Sequence, residues 1–212
     1  MNPPESLAAK MFLLAFDPRK QRLTARDDLG YLLRAAALAE LVLNGRLRDE
    51  DGKAVAAGPA LAGDPVLDEQ WSRIEAAGPR SWRRWVGHDR RQIFAAVRDQ
   101  LAEAHVIKTE QVRILGLFPY TRVTLRDTRA ARRVAEQVSR AVRGGQAAGR
   151  VDRDAGVLAA LAAAGQLRVV LGGRERRQFK TRLDRLGEPV EPVAKALRRA
   201  ITSKRAAAAS GG

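Results

Sequence analysis

The stretch DDLGYLLRAAALAELVLNGRL, residues 27–47, decides the fold class of this chain. Apart from Arg34 and Glu40, positions 29–43 are Leu, Ala, Val, Gly and Tyr, a composition typical of a helix in a protein core. Asn44-Gly45 follows, a pair that can adopt the left-handed conformation at which helices end. The stretch therefore predicts a core helix, and it places one guanidinium in the middle of that helix.

Arg34 requires an explanation, because burying an unpaired charge costs roughly several kcal/mol. One interpretation is structural: Arg34 pairs with an acid such as Asp27, or its aliphatic stem packs on the core while its charged end reaches solvent. The other is functional: the guanidinium forms the floor of a shallow phosphate-binding pocket. For the helix itself, Asp27 or Asp28 is the predicted N-terminal cap.

Outward from this stretch, helical spacing, capping residues and glycine stops predict that the chain is mainly helical. One short helix is expected to begin after Ser81, and longer helices are expected over residues 4–16, 64–77, 89–105, 127–143, 152–164, 174–186 and 190–204. Asp89 is the predicted N-terminal cap of the helix over 89–105. Two β-hairpins interrupt them, one turning at Asp51-Gly52 and one over residues 106–125. Trp71, Trp82 and Trp85 are expected to pack in the core.

The predicted fold class is therefore all-α in the main, with two short β-hairpins. No internal repeat and no long low-complexity linker divides the chain. We predict a single domain over residues 1–205 and a disordered tail over residues 206–212.

The composition bears on several classes of site. The chain has 212 residues and no cysteine, which excludes disulfides and thiolate metal sites. His88 and His105 lie far apart without a matching ligand cluster, so no metal site is expected. No apolar run reaches roughly 18 residues, so we expect a cytoplasmic protein without a transmembrane helix.

The net charge of +15 is unevenly distributed. Residues 1–78 carry 10 basic and 12 acidic side chains, residues 79–150 carry 16 and 6, and residues 151–212 carry 13 and 6. Of the basic residues 32 are arginines, whose planar forks match phosphate oxygens. This pattern favours a phosphate-bearing partner, either nucleic acid or an anionic lipid surface. The alternative is a solvated surface whose arginine content reflects a GC-rich genome.

The sequence contains no motif of nucleotide-binding loops, zinc proteases or serine hydrolases. The acidic clusters at 49–51 and 64–69 lie at a hairpin tip and at a helix start, and Asp152 and Asp154 are typical helix caps. We therefore expect no enzymatic activity, no catalytic residue and no cofactor.

Three segments in register resemble the Golgi phosphoprotein 3 family, in particular its bacterial branch from actinobacteria. They are LRAAALAELVLNGRL (33–47), GDPVLDEQW (63–71) and LFPYTRVTL (117–125), and the resemblance covers about residues 5–205. It implies a compact helical bundle surrounded by amphipathic helices, with a protruding β-hairpin. It also implies a peripheral membrane protein that is not an enzyme, binds phosphatidylinositol 4-phosphate and tethers protein clients.

The resemblance assigns four positions to a lipid-headgroup pocket. Arg34 and Arg91 carry the basic residues that the family uses, whereas the positions of its tryptophan and its second later basic residue are Ala25 and Phe94. The neighbours Arg90 and Arg98 are candidates to replace the missing charge. We therefore expect Arg34, Arg91 and Arg90 to bind the headgroup of an anionic, phosphoinositide-like lipid.

The second hairpin is the other family feature. In the relatives it contributes to membrane insertion and to self-association, which predicts a homo-oligomer formed through residues 106–125. Here its apolar tip carries Leu115, Leu117, Phe118 and Tyr120. The alternative is a hairpin folded back onto the core.

Two other functions compete with membrane binding. A basic helix at 89–105 followed by a hairpin has the element order of a winged-helix nucleic-acid-binding protein. Against this, the region shows no clear helix-turn-helix with an exposed polar recognition helix. The remaining alternative is a protein-binding scaffold.

Overall fold

Helix α2 (Arg26–Leu43) forms the centre of the fold in the computed structural model, which describes residues 6–59, 63–114 and 118–210. Its leucines at 29, 32, 33, 38 and 41 are fully buried, as are the alanines between them. Small alanines allow neighbouring helices to approach closely, and α2 contacts helices that precede and follow it along the chain. The prediction of a core helix over this stretch is confirmed.

The other helices surround α2. They are α1 (Leu7–Leu14), α3 (Pro65–Ala77), α4 (Trp82–Gly87), α5 (Arg90–Glu103), α6 (Thr128–Arg143), α7 (Arg153–Ala164), α8 (Gly173–Gln178), α9 (Lys180–Gly187) and α10 (Glu191–Ser210), with 3₁₀ turns at Ala148–Arg150 and Glu188–Val190. Helices α1, α3, α4, α5, α7 and α10 contact α2, whereas α6 reaches the core through α1 and α7. The three tryptophans are buried, as predicted.

The strands form small antiparallel pairs at the periphery of the helices. Strand β1 (Phe16–Asp17) pairs with β2 (Arg22–Leu23), β3 (Leu47–Glu50) pairs with β4 (Lys53–Ala56), which also pairs with β5 (Arg80–Ser81), and β6 (Ile107–Ile114) pairs with β7 (Phe118–Leu125). Both predicted hairpins and the mainly helical fold class are confirmed. The very short strands β1, β2 and β5 were not predicted, because two residues carry no alternating pattern.

Several helix ends follow local capping chemistry. Ser6, Asp64, Ser81, Asp127 and Asp152 each accept a hydrogen bond from a backbone N–H in the first turn of the following helix. These caps fix the starts of α1, α3, α4, α6 and α7 where the sequence predicts them.

The predicted caps of α2 and α5 are wrong in their chemistry. Ala25 occupies the cap position of α2 with a left-handed φ of 49°, and its side chain makes no cap hydrogen bond. Asp28 instead binds Lys204 of α10 at 2.6 Å. Asp89 occupies the cap position of α5 with φ of 39°, but its carboxylate does not cap the helix. Each carboxylate binds a cation from another helix instead of the N–H groups of its own helix, and the local sequence gives no sign of these contacts.

Two further boundaries differ from the predictions. The helix predicted over 174–186 is two helices, α8 and α9, because Phe179 leaves helical geometry with φ −98° and ψ 16° while packing on the core. Helix α10 continues to Ser210, into the segment predicted as a tail, since alanine is the strongest helix former.

Glu40 is the acidic residue of α2 that lies towards the core. Its Oε2 accepts a hydrogen bond from the backbone N–H of Leu7 at 2.7 Å, which satisfies a free donor in the first turn of α1. Burial raises the pKa of Glu40 to about 7, although the Leu7 hydrogen bond acts in the opposite direction. Folding therefore favours the protonated carboxyl.

This pKa predicts a pH-dependent difference between the wild type and Glu40→Gln. Because the folded-state pKa lies above the ordinary glutamate value of 4.5, the contribution of Glu40 to stability is fully present below pH 4.5 and is lost as the pH rises through about 7. Relative to the wild type, Glu40→Gln should gain on the order of 1–3 kcal/mol of unfolding free energy across that window. Urea unfolding of both proteins at several pH values measures this, and a pH-independent difference would contradict it.

Candidate functional site

A basic cleft lies between the start of α2, the start of α5 and strand β7. Its volume is about 970 Å³. Five cations border the cleft, namely Arg26, Arg90, Arg91, Arg98 and Lys204, together with the carboxylates Asp27 and Asp89 and the apolar or small residues Leu23, Gly30, Gly87, Phe94 and Val123. The cleft therefore offers an excess of positive charge over a partly apolar wall, which suits an anionic ligand.

Gly30 sets the distance between α2 and α5 at this cleft. A Cβ atom at Gly30 would lie 2.6 Å from the carbonyl oxygen and 2.7 Å from Cβ of Arg90. Only glycine permits this approach. As a result the Arg90 guanidinium lies 4.3 Å from the ring centroid of Tyr31, in cation–π geometry.

The carboxylate of Asp89 is bound by Arg73 and lies beside His88. Its Oδ2 accepts a hydrogen bond from Nη1 of Arg73 at 2.6 Å and lies 3.0 Å from Nδ1 of His88. Arg73 in turn donates to Glu69 at 2.8 Å. The negative charge of Asp89 is therefore engaged from the α3 side, and the left-handed turn that starts α5 is fixed in place.

Arg34 lies immediately behind this turn. Its side chain is 1% exposed, and its Nη2 donates to the backbone carbonyl of Asp89 at 3.2 Å. Nε and Nη1 have no hydrogen-bond partner within the described part of the chain. Burial lowers the pKa of Arg34 to about 10, while the nearby acids Asp89 and Glu69 act in the opposite direction. The guanidinium thus stays charged at neutral pH.

The expected structural partner of Arg34 is not the observed one. Asp27 lines the cleft instead of pairing with Arg34, and the charged end of Arg34 does not reach solvent. The structure therefore places a buried, under-satisfied cation directly under the backbone that carries Arg90 and Arg91.

Arg91 is exposed on the cleft, and among the described residues it makes no ion pair or hydrogen bond through its side chain. By contrast Arg98 pairs with Asp99 at 2.7 Å, and Lys204 pairs with Asp28 at 2.6 Å. Arg91 thus presents a guanidinium whose donors are available to a ligand.

The two positions that differ from the family pattern have other tasks. Phe94 lines the cleft and packs on Phe12 of α1, with ring centroids 5.7 Å apart. Ala25 caps α2 and borders a smaller cavity beside Asp28 and Arg205. Phe94 thus places an apolar ring where the family has a basic residue, and Ala25 places a left-handed backbone residue where the family has a tryptophan.

Lys204 and Arg26 line the cleft but were not predicted as site residues. Lys204 donates to the Asp28 side chain across 176 positions of sequence, and it also donates to the backbone carbonyl of Asp27 at 2.8 Å. Such a long-range contact leaves no signal in local sequence.

The predicted hairpin tip falls largely outside the described residues. Leu115 and Leu117 lie outside them, and for Phe118 and Tyr120 the structure describes only the backbone of β7. The base of the hairpin borders the cleft through Thr121 and Val123. Membrane insertion and self-association through this hairpin stay predictions.

Two searches of the described residues bear on other functions. Within residues 6–59, 63–114 and 118–210, no group of three or more His, Asp or Glu side chains could hold a metal ion. No helix described in these ranges is both long and apolar enough to cross a membrane.

A family model described as Golgi phosphoprotein 3 (GPP34) matches residues 7–203, nearly the whole chain. A search of the curated proteins finds no relative with significant similarity.

Proposed function

Because this chain belongs to the Golgi phosphoprotein 3 family, we propose that it is a non-enzymatic peripheral membrane protein that binds an anionic lipid headgroup in the basic cleft. In this proposal it acts on the cytoplasmic face of a membrane, as an adaptor for protein clients. Support comes from the family and from the charge and shape of the cleft.

The observation that carries the proposal is the availability of Arg91. Asp89, the acid two positions before Arg91, is engaged by Arg73 at 2.6 Å. This arrangement leaves the Arg91 fork open to an incoming phosphate, to which arginine can make two parallel hydrogen bonds.

The surrounding residues support phosphate binding in different ways. Arg90, stacked on Tyr31, supplies a second cation with restricted freedom, which lowers the entropy lost on binding. Arg34 adds a positive charge beneath the cleft in a medium of low dielectric constant, where its field is weakly screened. Phe94 and Val123 provide apolar surface for the non-phosphate part of a headgroup.

The resemblance implies phosphatidylinositol 4-phosphate as the ligand, and this is the first headgroup to test. Ala25 and Phe94 remove two family contacts, so the soluble headgroup glycerophosphoinositol 4-phosphate should be compared with glycerophosphoglycerol. Preference for the first indicates a phosphoinositide site, and preference for the second indicates a phosphatidylglycerol site.

Arg91→Ala is expected to weaken headgroup binding about tenfold or more, since a charge-assisted contact contributes roughly 1.5–3 kcal/mol. Arg91 is exposed and unpaired among the described residues, so the thermal midpoint should stay unchanged. Isothermal titration calorimetry with the soluble headgroup measures the affinity. Arg84→Ala, which removes an exposed arginine on α4, is the matched control.

Equal headgroup binding by wild type and Arg91→Ala would contradict the cleft as the site. The competing functions have their own readouts with the same proteins. If the wild type binds no headgroup but binds random duplex DNA, and Arg91→Ala binds that DNA more weakly, the protein is instead a nucleic-acid-binding protein. Absence of both activities would favour a protein-binding scaffold.

A further inference from the structure

A second group of arginines surrounds the loop between α7 and α8, outside the basic cleft. Arg176 of α8 donates from Nη1 to the carbonyl of Leu171 at 2.8 Å, and Arg205 of α10 donates to the side chain of Gln166. Arg168 lies between these two attachment points. We call Arg168, Arg176, Arg177 and Arg205 the arginine cluster.

The charges of the arginine cluster are close enough to act on one another. Burial lowers the pKa of Arg176, and the other members of the arginine cluster lower it further. The neighbouring acids compensate this charge only in part, since Asp28 is shared between Lys204 at 2.6 Å and Arg205 at 3.4 Å, and Glu175 is bound by Arg143 at 2.6 Å. The cluster therefore concentrates positive charge without equal local compensation.

The loop inside the arginine cluster exposes an aliphatic side chain. Leu167 and Leu171 are both 0% exposed and anchor the loop, whereas Val169 between them is 37% exposed. Among the residues whose side chains the structure describes, Val169 is the only large hydrophobic residue that is exposed. It also borders an apolar cavity of about 490 Å³ beside α6. A valine held outward next to arginines has the chemistry of a membrane-interface contact.

The arginine cluster adjoins the basic cleft. Lys204 lines the cleft, and Asp28 binds both Lys204 and Arg205, the latter at 3.4 Å. The two residues are consecutive on α10. Asp28 and the end of α10 therefore connect the cleft to the arginine cluster.

We propose that the arginine cluster and Val169 form a second membrane contact, in which the arginines bind phosphates of the surrounding leaflet and Val169 enters the interface. This proposal rests on the proposed membrane function but not on the cleft being its headgroup site. The cleft recognises one headgroup, and the arginine cluster responds to the density of anionic lipid.

The test uses the full chain with the double variant Arg168→Ala/Arg177→Ala. Both residues are exposed, and neither makes a side-chain hydrogen bond or ion pair among the described residues. The control is Arg80→Ala/Arg84→Ala, which removes the same charge beside the β3–β4 hairpin. The partition coefficient is measured by co-sedimentation with vesicles of phosphatidylcholine containing phosphatidylglycerol, and with phosphatidylcholine alone.

The cluster variant should bind the anionic vesicles roughly tenfold to thirtyfold more weakly, at about 1 kcal/mol for each surface arginine. The control should change binding less than about threefold, and neither variant should alter affinity for soluble glycerophosphoinositol 4-phosphate. Equal losses in both double variants would mean that only net charge matters and would overturn the proposal. Loss of duplex DNA binding with unchanged vesicle binding would overturn it too, in favour of a nucleic-acid contact.

Val169 can be tested directly, because the chain has no cysteine and Val169→Cys creates a single labelling site. A polarity-sensitive fluorophore there should shift to the blue on anionic vesicles, whereas the same label at the exposed Ser72→Cys on α3 should not. An unshifted label at position 169 on saturated vesicles would overturn the interfacial contact. If soluble headgroup binding fails but these results hold, the cleft proposal is wrong and the arginine cluster stands.

Discussion

Replacing Arg34 with methionine is expected to weaken binding of the soluble headgroup about tenfold or more, while the free energy of unfolding stays equal or rises. The buried guanidinium makes one hydrogen bond within the described residues, and its burial lowers its pKa, so the charge costs stability. An apolar side chain of similar length removes that cost. Loss of affinity without loss of stability would indicate that Arg34 is kept for ligand binding.

The measurements are calorimetric titration with glycerophosphoinositol 4-phosphate and urea unfolding. Arg34→Lys keeps the charge but lacks the planar fork, so it separates the effect of charge from hydrogen bonding to Asp89. Arg34→Ala shows the added cost of a cavity. If Arg34→Met unfolds far more easily than the wild type and its folded fraction binds the headgroup normally, Arg34 is structural.

Gly30→Ala is expected to destabilise the fold by about 1–3 kcal/mol and to abolish headgroup binding. The added Cβ would meet backbone and Cβ atoms of Arg90 at 2.6 and 2.7 Å, contacts that a side-chain rotation cannot relieve. Helix α5 must therefore move away from α2, and Arg90 and Arg91 move with it. Without this contact the change would stabilise a helix by about 1 kcal/mol, so the sign of the effect is decisive.

Gly149→Ala is the matched control for Gly30→Ala. Gly149 lies in the 3₁₀ turn Ala148–Arg150 and does not line the cleft, and a Cβ atom there would have no neighbour within 4 Å among the described residues. The thermal midpoint and headgroup affinity of this control should stay close to those of the wild type. A Gly30→Ala protein as stable as the wild type, with normal headgroup binding, would show that the α2–α5 contact does not position the site.

The candidate site could be predicted from the sequence only in part. The resemblance named Arg34, Arg91 and Arg90; the structure places Arg90 and Arg91 on the cleft, whereas Arg34 is buried behind the turn at Asp89 and does not line the cleft. The resemblance did not identify Lys204, which reaches the cleft from the far end of the chain. Nor could it distinguish Asp27 from Asp89 as the neighbour of Arg34, because both carboxylates lie beside predicted helix starts.

Local patterns determined the elements. The apolar run of α2, the turn at Asp51-Gly52 and the caps at Asp64 and Asp152 were all predicted, since backbone hydrogen bonds and side-chain spacing act over a few residues. Short-range chemistry also made the fold class mainly helical. These features needed no knowledge of which helix packs against which.

Tertiary structure alone decided what the charged residues do. It buried Arg34 under the start of α5, turned Asp89 from a cap into a partner of Arg73, and gathered the arginine cluster around Val169. The physical reason is that an ion pair or a buried charge depends on distances between elements remote in sequence, whereas a helix depends on its own neighbours. Thus the sequence by itself determined the helices and their basic character, and packing determined where on the protein that charge gathers.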